Sequence, residues 1–169
     1  MPAIPTYLTE TEIAELIKGN EQAKIVYDWM KVRKLFTKAS KIDKATFQFQ
    51  GISGNKVSFI ITQPVDAPRT IIVVSTLNFI PSHQEAISKL SPKEKDAFFW
   101  DLKRDLIFAP AQFGMHPNIN DPKQIQFQKE ISFDELTEGR LLNAMDAVSR
   151  STIWTIMVMI RKFGAPVEV

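Results

Sequence analysis

Apolar residues recur along this chain at two periods, and the places where one period gives way to the other predict its elements. From residue 10 the spacing is helical. Thr9 and Glu12 stand at capping-box spacing, Ile13, Leu16 and Ile17 follow, and Ile25, Trp29, Val32 and Phe36 continue at about 100° per residue. Gly19-Asn20 is a break or kink within this stretch, which reads as one first helix over about 10–38. The period then drops to two. Ala45, Phe47 and Phe49 alternate with Thr46, Gln48 and Gln50, and Val57, Phe59 and Ile61 alternate again up to Pro64. Between them Gly54-Asn55 suits a hairpin turn. Residues 70–77 are rich in β-branched side chains and apolar on both faces, as a central strand is expected to be.

The helical period returns at Pro81, with Ala86, Ile87 and Leu90. Ser91-Pro92-Lys93-Glu94 combines an N-cap serine, a proline at the first helical position and a glutamate three residues after the cap. The helix it opens should run to about Phe108, stop at Pro110, and turn Phe98, Phe99, Leu102 and Leu106 inward. Two more strands are expected over 111–117 and 124–131. Ser132 and Glu135 repeat the capping-box spacing, so a last helix is expected over about 135–163, ending at Gly164. The order is α-β-β-β-α-β-β-α. Hairpin-length links make this an α+β two-layer sandwich, with a mostly antiparallel five-stranded sheet and helices on one face.

At 169 residues the chain is expected to be a single domain over 1–169, with an irregular N-terminal arm over 1–8. Twelve Phe and three Trp supply a core that needs no metal or disulfide. No cysteine is present, so disulfides, thiol nucleophiles and Cys-based zinc sites are excluded, and a cytoplasmic location is expected. The formal net charge of +2 provides no global field for nucleic acid. The longest apolar run near the end, Ile153 to Ile160, is far short of the ~20 residues of a membrane span.

The element order, with Ile13 to Phe36 as first helix, Phe47 to Leu77 as three strands, Ser91 to Phe108 as middle helix and Leu141 to Phe163 as last helix, resembles the secretion-chaperone-like fold. Within it, the chain is similar to uncharacterised archaeal proteins of the DUF2299 type. The resemblance implies a homodimer that binds an extended or partly folded protein segment. It implies no catalytic residue and no cofactor.

Catalytic signatures are sparse. The two histidines, His83 at a helix start and His116 before Pro117, are candidates for a general base in a small-molecule enzyme. There is no Gly-x-Ser-x-Gly elbow, no His-Glu-x-x-His helix and no Gly-rich phosphate cradle. Asp101 and Asp105 are interleaved with Lys103 and Arg104, which fits a solvated face with local ion pairs. Lys31, Lys34 and Lys38 share one face of the expected first helix and could contact a nucleic acid or another polyanion. The same stripe also serves as the wet side of an amphipathic helix.

The last helix carries two apolar sets. Leu141, Met145, Val148, Thr152, Ile156, Met159 and Phe163 form the face expected to sit on the sheet. Ala144, Ala147, Ser151, Trp154 and Val158 follow a 3-4 spacing on a different face and form a second seam. Two partners fit this seam: a second copy of the chain, anchored by Trp154, or the first helix or N-terminal arm of the same chain. The reading that follows is a non-catalytic protein-binding domain that forms a homodimer.

Overall fold

The computed structural model describes residues 6–165. Strand β1 (Thr6–Tyr7) leads into helices α1 (Glu10–Gly19) and α2 (Glu21–Val32), then strands β2 (Phe36–Lys41), β3 (Ala45–Ile52), β4 (Ser58–Pro64) and β5 (Thr70–Asn78). Helices α3 (Pro81–Ser88) and α4 (Pro92–Leu106) precede strands β6 (Gln112–His116) and β7 (Gln124–Ser132). A 3-10 turn, Phe133–Glu135, leads to the long helix α5 (Glu138–Phe163). The strands form one antiparallel sheet of seven, in the order β1-β2-β3-β4-β5-β7-β6.

The α+β sandwich stands, but its sheet is larger than the five strands expected, and the element order changes at the N-terminus and between β5 and β6, where two helices stand in place of one. Of the arm expected over 1–8, residues 1–5 lie outside the described residues, while Thr6 and Tyr7 pair with Lys41 and Ser40 as an edge strand. The first helix of 10–38 is replaced by two helices and a strand. Asn20 ends α1 and caps α2: its Oδ1 accepts from Ala23 N at 2.8 Å. Its Nδ2 donates to Gln63 Oε1 at 3.1 Å, which ties the break to β4. Helix α2 stops at a left-handed Lys34 (φ 56°), with Leu35 N donating to Met30 O and Lys34 N to Lys31 O. This pair of bonds is a Schellman closure, normally built on glycine. Phe36 therefore begins a strand, although it continues the helical period.

Other expected ends hold. The Thr9–Glu12 and Ser91–Glu94 capping boxes both form, with Thr9 N donating to Glu12 Oε2 at 2.8 Å and Ser91 N to Glu94 Oε2 at 2.9 Å. These bonds lower the pKa of both glutamates: for Glu12 the backbone bond from Thr9 leads, for Glu94 the side-chain bond from Ser91. The box expected at Ser132 caps only the 3-10 turn, through Asp134 N, and α5 is capped instead by Thr137, which accepts from Arg140 N at 3.2 Å.

One face of the sheet and all five helices meet in a single core. Phe47, Phe49, Phe59, Ile61, Ile71, Val73, Ile125, Phe127 and Ile131 come from that face. They meet Val26 and Met30 of α2, Ile87 of α3, Phe99 and Leu102 of α4, and Leu141 and Val148 of α5. Alternation along each strand sends Gln50, Ile60, Val74 and Gln128 to the opposite face, where none is fully buried. Among the described residues, no helix is long and apolar enough to cross a membrane.

Candidate functional site

Helix α5 buries one broad face along its length, and its outward stripe changes character part-way. Leu141, Met145, Val148, Thr152 and Met159 are buried, as the face meant for the sheet should be. Thr152 Oγ1 lies 3.0 Å from Ser75 Oγ, which in turn donates to Ser58 O at 3.0 Å, so hydroxyls join α5 to β5 and β4 through the core. The outward stripe begins polar, with Arg140, Asn143, Asp146 and Arg150, and Arg150 pairs with Asp146 at 2.8 Å. It then becomes apolar: Trp154, Met157 and Ile160 are 36%, 62% and 38% exposed.

The second seam is divided between these two regions. Ala144, Ala147 and Ser151 are buried within the chain, and a cleft that Ala144 and Ala147 line also includes Pro110 and Ile131. Their small size allows close approach of the chain's own segments. Val158 is half-buried against the core, and Trp154 alone of the five stands exposed.

Beside the apolar end of α5 lies a cavity of about 210 Å³. Its lining is almost wholly apolar: Leu77, Phe79 and Ile80 after β5, and Ile156, Met159 and Ile160 of α5, with Asn78 and His83 as its polar members. Ile160 belongs both to the cavity and to the exposed stripe. Sequence reading missed this site because Phe79 and Ile80 fall in an irregular link between strand and helix. The signal that could have found it is the third apolar position per turn, Met157 and Ile160, which neither face of the helix needs.

His83 is not on the surface as expected. It is buried, and its Nε2–H donates to Gly164 O at 3.0 Å, which fixes the tautomer and ties α3 to the end of α5. His116 is exposed at the end of β6. Among the described residues neither histidine is hydrogen-bonded to a carboxylate, and no cluster of three His, Asp or Glu could hold a metal ion.

The lysine stripe does not survive as a helix face. Lys31 lies on α2, Lys34 is the left-handed helix stop, and Lys38 is on β2. The ammonium of Lys31 lies 5.9 and 5.7 Å from the ring centres of Tyr27 and Phe36, and that of Lys38 lies 3.8 Å from the ring centre of Tyr7. Two of the three thus cover aromatic rings.

Residues 23–159 match a family of proteins described as "Uncharacterized conserved protein (DUF2299)". The chain belongs to this family. The DUF2299 match runs from the first turn of α2 to the last turns of α5, and takes in Trp154 and Met157 of the apolar stripe and most of the cavity wall. The DUF2299 fold is shared with an uncharacterized protein from Methanothermobacter thermautotrophicus, whose crystal structure aligns at a TM-score of 0.78 and 20% identity, over 83% of this chain and 98% of that one. A chain in the HopA1-SchA chaperone-effector complex aligns at a TM-score of 0.43 and 12% identity, over 81% of this chain and 88% of that one. No curated protein matches.

Proposed function

We propose that this DUF2299 protein is a non-catalytic protein-binding domain that holds an apolar segment of another protein at the C-terminal end of α5. The observation that carries this reading is the apolar cavity opening beside the exposed run of Trp154, Met157 and Ile160. A cavity of about 210 Å³ suits one or two large side chains rather than a cofactor, whose sites run from about 300 Å³ upward. Its lining offers two polar side chains, Asn78 and His83, and the Nε2–H of His83 is already given to Gly164 O. Met157 and Met159 are flexible enough to adapt to different side chains. A bound segment would place a Leu, Met or Phe in the cavity and lay its backbone along the stripe, as amphipathic helices do in apolar grooves.

The test is fluorescence anisotropy with a labelled amphipathic peptide built from Leu, Met and Lys. Met157→Glu with Ile160→Lys should weaken binding at least tenfold, since a charge must be desolvated at each position, while the far-UV circular dichroism stays that of the parent. Equal binding by parent and variant would overturn the proposal.

A further inference from the structure

We infer that the outer face of α4, together with the free edge of β6, is the surface on which two copies of this chain associate. Three side chains of this region have no cover: Trp100, Ile107 and Phe108 are 67%, 70% and 85% exposed. The two aromatics alone leave roughly 300 Å² of apolar surface open, from about 150–250 Å² per side chain. That is close to the largest patch of an ordinary monomer, and such patches mark interaction sites. By comparison, the exposed stripe of α5 has its one aromatic two-thirds covered.

The position of α4 adds a second feature. Lys95 near its start pairs with Asp121 of the β6–β7 connection at 2.5 Å, and Trp100 shares a cleft with Asn120 of that connection. Lys129 of β7 reaches Pro110 O, between the end of α4 and β6, at 3.4 Å. Helix α4 therefore runs antiparallel to β6 along this border of the sheet. Among the described residues β6 is the last strand of the sheet, and its outer edge is unpaired. Edges are usually guarded by lysine, proline or a bulge. Within Gln112–His116 there is no Lys, Asp, Glu or Pro, and its pairing with β7 is regular throughout.

A second copy is the occupant that both features favour. Trp100 stands four residues before Arg104 on α4, and Phe108 four residues after it, in the turn that follows the last helical residue, Leu106. A two-fold axis near Arg104 sets each Trp100 against Phe108 of the second copy, the reciprocal contact an isologous interface requires. The same axis brings the two β6 edges together antiparallel. Charge does not oppose it, because Arg104 is held by Asp101 at 3.0 Å and by Asp105 at 3.5 Å. With Lys103, the charges of this turn cancel. A stable pair buries roughly 800 Å² per copy, which the aromatic patch, Ile107 and a five-residue strand edge can together supply.

The experiment uses light scattering on the full chain and two engineered cysteines, which are clean probes because the sequence has none. The parent should have twice the 19.2 kDa mass of one chain at tens of micromolar. Trp100→Glu with Phe108→Glu should have the mass of one chain, with unchanged circular dichroism and unchanged peptide binding at α5. Under mild oxidation Arg104→Cys should form a covalent dimer on a non-reducing gel, while Asn143→Cys, exposed on α5, should not. A parent of single-chain mass, a glutamate variant that stays dimeric, or equal cross-linking at both cysteines would overturn the inference. None of these results bears on the α5 site, which is read by peptide binding.

Discussion

Removing the hydroxyl of Ser149 should make this protein more stable. Ser149 lies on α5 and is buried, and among the described residues its Oγ is the buried side-chain polar atom with no hydrogen-bond partner. Its neighbours on the same helix show the alternative. Ser151 donates to Ala147 O, and Thr155 to Ser151 O, both at 2.9 Å. Ser149 makes no such bond. A buried hydroxyl that has lost water and gained nothing costs about 1–3 kcal/mol, and Ala exceeds Ser in helix propensity by about 0.5 kcal/mol. The small void left by one oxygen offsets part of this gain, so Ser149→Ala should stabilise by about 1–2 kcal/mol. For a chain of this length that raises Tm by about 2–8 °C. Urea unfolding at neutral pH measures it, with Ser151→Ala as the contrast, because that change removes a made bond and should be neutral or destabilising. A loss of stability in Ser149→Ala, with m unchanged, would refute the reasoning: the hydroxyl would then have a partner in solution.

Two further predictions concern ends and borders of elements. Lys34→Gly should stabilise by up to about 1 kcal/mol in urea unfolding, because a side chain at left-handed φ costs about 1–2 kcal/mol and glycine returns only part of that as unfolded-state entropy. Asp121 has its pKa lowered, chiefly by the hydrogen bond from Lys95, so its contribution is present above the ordinary value of 3.8 and lost as pH falls through the lower folded value. Asp121→Asn should therefore be slightly less stable at pH 7 and lose less on acidification, which thermal unfolding across pH 7 to pH 2 would show; parallel curves for both proteins would contradict it.

Much of this fold could be read from the pattern, and the misses have physical causes. Both N-terminal capping boxes were legible because a cap places its partners three residues apart in sequence. The central strands were legible because a two-residue period survives wherever one face is buried. Helix 10–38 failed at its far end for two reasons. Phe36 keeps the helical period by chance, and the stop uses a lysine where glycine would have marked it. β1 has two residues, too short to carry any period. The start of α5 was misplaced because Ser132–Glu135 has the spacing of a cap and spends it on a 3-10 turn. The second seam expected on α5 is divided: Ala144 and Ala147 line a cleft with the chain's own Pro110 and Ile131, Ser151 is buried, and Trp154 is exposed. The lysines were grouped by a helix that ends between them.

The two-sided character of β5 shows why periodicity alone could not place the surfaces. Apolar residues on both faces marked it as a central strand of a sheet with helices on one face. Only the side bearing Ile71 and Val73 is covered by helices. On the other, Ile72 lies opposite Thr62 and Glu130, and Val74 lies opposite Ile60 and Gln128. These cross-strand pairs keep Ile60, Ile72 and Val74 half-buried with no second layer, since directly opposed side chains approach within about 4.5–5.5 Å at Cβ. Around them stand Gln50, Gln126 and Gln128, uncharged residues with enough methylene to lie over their neighbours. A strand pattern records that a side chain is shielded from water, whichever group shields it. Helix α4 and the turn after it show the same logic in reverse: Trp100, Ile107 and Phe108 are as apolar as the core, yet among the described residues no strand or helix covers them. Apolar residues left over after the fold has closed are therefore the ones that need a partner from outside.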